Sequence, residues 1–417
     1  MNKRTAVVVV LLLGISALGV GYGIYAYSNY QANQLFEKSK AALEEGQYLE
    51  ARVFSEKSLA LKRNHYPALL VFAESIFKDQ SVEGAKRVKI ALEALEEIPD
   101  TVEEGLIART HEASIYFFDR LEPTRAEKSL KKAIAMFPDH AESYQSLMRI
   151  YCCTSRESLV EPLFEQMIEL ASGRKETFSV LKSWFLSQFA TETFNSGTDR
   201  LLRVEGLYQT NISSSAKRIL AFRDADPDDQ MPKVALAYWF YLRLDGKQAK
   251  LILDELDPEK LDPSDPLYLT TAINVYLENG EIELASELHT YWKGQQYFEY
   301  WRQKGVVEQD YRNEPKQAFQ SFEKALSIWP GPIDPSIYFR LETCLKSLGD
   351  PVNALKYRRL GEEIRDAVGT DRIKELQALL LKSELSKENC DKFVSFYETL
   401  GRPLEATHWH RLSSLSN

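Results

Sequence analysis

Between Asn313 and Pro330 the chain reads NEPKQAFQSFEKALSIWP. Ala318, Phe322 and Ala325 are spaced four and then three residues apart, so they share one face of a helix, and Pro330 ends it. The alanines leave room for a second helix to come close, and Phe322 fills the space between. One helix, or one helix pair, cannot bury such a face unaided. A chain made largely of such segments must stack them.

The spacing recurs with a period of about 34 residues from Ala32 onward. The first repeat, 32–65, has Ala42, Gly46, Tyr48 and Ala51. Gly46 falls where one helix must end and the next begin, a position suited to positive φ. The stretch 66–106 is a weaker copy. Repeat 107–140 has Ala113, Phe117, Ala126, Leu130 and Ala133, and 141–174 has Tyr144, Leu147, Phe164 and Met167. The pattern then loosens into an aromatic-rich helix with Phe178, Trp184, Phe185 and Phe189. Regularity returns in 230–263 with Ala249 and Leu253, in 266–298 with Gly280 and Ala285, and in 299–332. It continues in 335–368 with Gly349 and Ala354, and in a last repeat from Lys387 with Gly401 and Ala406. Alternating β-branched runs with tight hairpin turns are absent. The prolines of DPEKLDPSDP, Pro258, Pro263 and Pro266, mark a flexible joint between two halves.

These small and aromatic positions, with their shared register, resemble the tetratricopeptide repeat family. The resemblance covers nearly all of 32–417. It implies an all-α, right-handed solenoid of stacked helix pairs with a concave groove.

The N-terminus carries a different signal. Thr5 to Tyr27 is a run of 23 residues without a charge. As a helix it would be roughly 34 Å long, enough to span a hydrocarbon core of about 30 Å. Lys3 and Arg4 precede it and the next charge is Glu37, which places the N-terminus in the cytoplasm and the body outside it. The competing reading is a cleaved signal at Ala26-Tyr27-Ser28, against which the apolar run is longer than the ~7–15 residues of a signal core. Gly19 and Gly23 form a small-x-x-x-small pair that would let two such helices pack into a homodimer; the competing and favoured reading is that glycine is simply common in membrane helices. The chain thus divides into a short cytoplasmic end (1–4), a transmembrane helix (5–27), N-terminal repeats (32–170), a divergent helical segment (171–229) and C-terminal repeats (230–417).

A net charge of −9 argues against a nucleic-acid partner, which needs a dense cationic surface. No nucleophile elbow, phosphate loop or paired-histidine zinc motif occurs, and the histidines are scattered. The sequence therefore offers no catalytic, metal or cofactor site. Cys152 and Cys153 read as small apolar residues in a helix, with a vicinal redox switch as the alternative.

The resemblance implies that the first helix of each repeat lines the groove. Its lining residues are then Phe36 and Lys40, His111 and Phe118, Gln145 and Arg149, Asn274, Tyr300, Gln303 and Tyr311. Chaperone-binding relatives hold a peptide carboxylate with a lysine and an asparagine, where this chain has Phe36 and Lys40, so that clamp is not carried over. The expected function is a membrane-anchored scaffold that binds another protein or peptide on the extracytoplasmic side, in assembly or organisation of an envelope or secretion complex. The alternative is an exported enzyme, or an enzyme accessory, with its site in 171–229.

Overall fold

The computed structural model describes residues 3–156, 159–189, 212–328, 335–382 and 385–415, with backbone alone at 3–22, 187, 212–216 and 370. Among the described residues the secondary structure is helical throughout. The chain runs α1 (Lys3–Glu44), α2 (Tyr48–Leu61), α3 (Tyr66–Lys78), α4 (Gly84–Glu96), α5 (Glu103–Phe118), α6 (Pro123–Met136), α7 (Ala141–Cys153), α8 (Val160–Leu170) and α9 (Arg174–Gln188). It continues with α10 (Ile212–Ala225), α11 (Met231–Leu242), α12 (Gly246–Asp254), α13 (Pro266–Glu278), α14 (Ile282–His289) and α15 (Phe298–Val306). A π-helical turn (Val307–Tyr311) follows, then α16 (Pro315–Ile328), α17 (Ser336–Ser347), α18 (Pro351–Ala367), α19 (Thr370–Leu380), α20 (Lys387–Thr399) and α21 (Pro403–Ser414). Within each body the helices pack mainly on their neighbours in sequence.

Two features recur among the helix pairs. The first is the small residue of the second helix. Ala51, Ala126, Ala249, Ala285, Ala318 and Ala354 are at most 1% exposed, and Ala406 is also buried. Phe322 and Ala325 beside Ala318 are fully buried. Contact there is so close that a Cβ on Gly305 would lie 2.6 Å from the Phe322 ring. Pro330 lies outside the described residues.

The second feature is the turn. Gly46, Gly280, Gly349 and Gly401 all take φ between 68° and 78°. At Gly46 the glycine N–H donates to Leu43 O at 3.0 Å and the Gln47 N–H to Ala42 O at 2.8 Å. This is the Schellman arrangement, which satisfies two carbonyls at the end of the first helix. The other three glycines repeat it. Leu244 makes the same turn at φ 60° without being glycine, and its side chain is 87% exposed.

The chain forms two compact bodies, Met1–Arg120 with Arg125–Pro138, and Leu121–Thr124 with Asp139–Asn417. In the N-terminal body each helix packs on its sequence neighbours. A buried ion pair on α5, Arg109 with Glu112, cross-links them. Arg109 also donates to Leu95 O (2.7 Å) and Ile98 O (2.9 Å) at the end of α4, while Ser129 of α6 donates to Glu112 at 3.0 Å.

The C-terminal body adds a long-range closure. The aromatic face of α9 packs against α20 and α21. Phe185 lies edge-on to Phe393 at 5.2 Å and Phe189 to Phe396 at 5.1 Å. The Trp184 indole donates to Glu405 at 3.2 Å, and Glu405 pairs with Arg402 at 2.6 Å, both buried. Gln188, oriented so that its amide oxygen accepts from Arg402, donates to the Tyr397 hydroxyl at 3.1 Å. Arg174 donates to the carbonyls of Leu385, Leu412 and Leu415, and Gln377 of α19 to that of Phe189. The last repeat thus covers a helix more than two hundred residues earlier in the chain.

Two contacts join the DPEKLDPSDP stretch to the segment before α11. Lys260 pairs with Asp228 at 2.6 Å, and Gln230 accepts from the Asp257 N–H at 2.9 Å.

The expected span 5–27 lies within α1, a single helix of 42 residues that runs unbroken into the first repeat. Among the described residues no helix is long and apolar enough to cross a membrane. The side chains of 3–22, most of the expected span, are not among them.

Candidate functional groove

In the N-terminal body the first helices of successive pairs, α1, α3 and α5, leave a groove of about 760 Å³. Its apolar surface comes from Phe36, Leu43, Leu70 and Ile107. Ile107 is 44% exposed, and Phe36 and Leu43 are half-buried. Phe36 and Leu43 rest with one side on the buried Ala42, Ala51 and Val71 and leave the other toward the groove. A chain of contacts fixes Phe36. Its ring sits edge-on to His65 at 5.2 Å. His65 Nδ1 lies 2.9 Å from the Ser58 hydroxyl, which donates to Ala32 O at 2.8 Å. Ser58 therefore accepts from His65, which sets the imidazole tautomer. Burial holds the His65 pKa below its ordinary value.

The polar lining is mostly acidic. Glu44, Glu74, Glu103 and Glu104 face two ammonium groups, Lys40 and Lys78. Lys78 is bound to Glu74 at 2.7 Å, which raises its pKa. His111 also lines the groove, its pKa lowered by burial with an opposing pull from Glu74.

The structure brings Phe36, Lys40 and His111 of the expected lining into this one groove. Phe118, near the end of α5, is 49% exposed and stands outside it. Gln145 and Arg149 are half-buried on α7 in the other body.

The remaining four residues are engaged in packing between repeats. Gln303 is fully buried, donating to Thr270 O at 3.1 Å and accepting from the Trp292 indole at 3.3 Å. Asn274 is buried and accepts from Arg302 at 3.1 Å. The ring of Tyr300 lies 4.4 Å from that of His289. The Tyr311 hydroxyl donates to Leu277 O at 2.8 Å, reaching it from the π-helical turn. Their apolar bodies and polar tips join one pair to the next.

Sequence reasoning missed the acidic residues. Glu103 and Glu104 precede the repeat as counted from 107, and Glu44 is not among the expected lining residues. Their signal was the placement of all three at the ends of groove-lining helices.

Gly23 is exposed on α1, with nothing within 4 Å of where a Cβ would stand. Gly19 lies outside the described side chains. Residues 190–211 of the divergent segment lie outside the described residues, and its described aromatic helix, α9, is spent on the closure. All four cysteines are free thiols. Cys153 accepts from Arg218 at 3.3 Å, and burial pushes the Cys344 thiol up to about 11.

The sequence matches no family model, and no curated protein matches it. Among solved structures it is similar to a tetratricopeptide repeat protein from Parabacteroides merdae, at 13% identity and a TM-score of 0.31, covering 76% of this chain and 99% of that one. It is also similar to the Cut9–Hcn1 hetero-tetramer of the APC/C, at 12% identity and a TM-score of 0.36, covering 92% of this chain and 76% of that one.

Proposed function

We propose that the protein is a membrane-tethered interaction scaffold whose N-terminal groove holds a segment of another protein. The observation that carries this reading is the groove itself: apolar side chains left partly exposed between helices, with charged groups around them. A partner gains by covering Phe36, Leu43, Leu70 and Ile107, since burying apolar surface is worth roughly 25 cal/mol per Å².

Residues 5–27 serve as the anchor, with 1–4 in the cytoplasm and the repeats on the extracytoplasmic side. The charge-free run, the preceding Lys3 and Arg4 and the following tyrosines support this. Because α1 is continuous, Phe36 lies roughly 14 Å and Leu43 roughly 24 Å beyond Tyr27 along one helix, at about 1.5 Å per residue. One wall of the groove is thus set at a fixed height above the bilayer. Such a position suits organisation of an envelope or secretion complex. The open surface at Gly23 gives a second anchor room to pack.

The test is co-purification from detergent-solubilised membranes with the native chain and with Ile107→Asp. A reproducible partner held by the native chain and lost with the variant supports the reading. A partner retained equally by both overturns the groove as its binding site. Release of the native chain by alkaline carbonate would overturn the anchor.

A further inference from the structure

We infer that the groove of the N-terminal body selects a cationic peptide segment, one or two apolar side chains flanked by lysine or arginine; this rests on the groove-binding reading above. The basis is charge complementarity over an apolar floor. Glu44, Glu74, Glu103 and Glu104 line the groove together with Lys40 and Lys78. Lys78 is already neutralised by Glu74 at 2.7 Å. That leaves Glu44, Glu103 and Glu104 against Lys40 alone. No side-chain ion pair holds any of these three carboxylates among the described residues, and Glu44 and Glu103 are exposed.

Their placement makes the acidity directional. Glu44 closes the last turn of α1, while Glu103 and Glu104 open the first turn of α5. Leu70 and Ile107 line the same groove, each one turn into its helix, α3 and α5. The C-terminal end of α1 carries partial negative charge, so Glu44 adds to the field there, whereas at the start of α5 the helix's partial positive charge offsets part of that of Glu103 and Glu104. An apolar side chain on the floor with a guanidinium or ammonium at each end satisfies both features. A peptide carboxylate would meet the three carboxylates with Lys40 as its sole free cation, so selection runs against acidic segments.

The variant that tests this is the double reversal Glu44→Lys with Glu103→Lys. Glu44→Lys puts a cation at a helix C-terminus, which favours the fold, and Glu103→Lys puts one at an N-terminus, which opposes it, so the two effects on stability offset. The full chain in detergent is screened against a displayed library of random peptides. Enriched peptides are then labelled and titrated, with Leu70→Asp as the groove-blocking variant and Glu398→Lys on α20 as the remote charge control.

The expected result is enrichment of lysine- or arginine-flanked apolar peptides. Their affinity should fall about tenfold in the double reversal, be lost with Leu70→Asp, be unchanged with Glu398→Lys and weaken as salt rises. Enriched peptides that are neutral or acidic, yet lost with Leu70→Asp, would overturn the charge selection and leave groove binding standing. Cationic peptides that bind the double reversal as well as the native chain would do the same. No peptide whose binding depends on Leu70 would overturn both.

Discussion

The two bodies use one repeat pattern to different ends. In the N-terminal body the buried pair Arg109–Glu112 ties α4, α5 and α6, partners at most twenty residues apart, and the first helices keep an open groove. In the C-terminal body the corresponding pair, Arg402–Glu405, ties α21 to Trp184 across 221 residues. There the expected lining residues Asn274, Tyr300, Gln303 and Tyr311 are spent on neighbouring repeats. The same first-helix positions are left facing a groove in one body and are spent on the adjoining helix pair in the other. Surface kept free of packing, more than residue type, separates a binding face from a core face.

The buried ion pairs should give the largest effects. Arg109→Ala and Arg402→Ala each strand a buried glutamate and should cost about 3–5 kcal/mol. Hydrogen exchange separates them. Arg109→Ala should raise exchange in α4–α6 alone, while Arg402→Ala should raise it in α9 as well as in α20 and α21. Equal, local effects from both would remove the distinction between the bodies.

Next come the shared alanines. Ala51→Leu and Ala318→Leu overpack equivalent helix contacts, one in each body, and should each cost about 1–3 kcal/mol, whereas the exposed Lys316→Leu should change stability by less than about 0.5 kcal/mol. Equal melting shifts for Ala318→Leu and Lys316→Leu would mean the register is wrong.

The turns should respond more weakly. Gly46→Ala, at φ 76°, should destabilise by about 1 kcal/mol, while Leu244→Gly should stabilise by up to about 1 kcal/mol by relieving the same left-handed strain, as read in urea titrations.

The smallest effect concerns Glu161, at the start of α8, whose pKa burial lifts to about 7. A folded-state pKa above the unfolded value means the folded form binds the proton more tightly. Its contribution is present at low pH and lost as pH rises toward and through about 7. Glu161→Gln should therefore gain on the native chain as pH rises from about 5 to about 8, by on the order of 1 kcal/mol after allowing for solvent screening. A constant difference in melting temperature across that range would contradict this.

The repeat architecture was legible because small residues recur with a fixed period and glycine marks four of the turns. Ala51, Ala249, Ala285 and Ala318 are buried where the spacing puts them. The closure was not legible, since no period links α9 with α20 and α21. The signal it left was compositional: Phe178, Trp184, Phe185 and Phe189 in one helix, and Phe393, Phe396, Tyr397 and Trp409 in two others. Arg109, Glu112, Arg402 and Glu405 are charged residues on helices and read as surface until the structure supplies their buried partners. Half of the groove was legible in the same way. Phe36, Lys40 and His111 follow from repeat register, whereas Glu44, Glu103 and Glu104 require knowing which helix ends meet. Tyr300 and Gln303 share that register, and only the contacts with His289, Thr270 and Trp292 reveal that they are already satisfied.

The most direct test places a photo-crosslinking amino acid at Leu70 in one full-length chain and at Tyr300 in another, with each irradiated in intact membranes. The account predicts a discrete adduct with another polypeptide from Leu70, abolished by Ile107→Asp, and none from Tyr300. An adduct from Tyr300 with none from Leu70 would contradict it, placing the binding face in the body read here as self-filled.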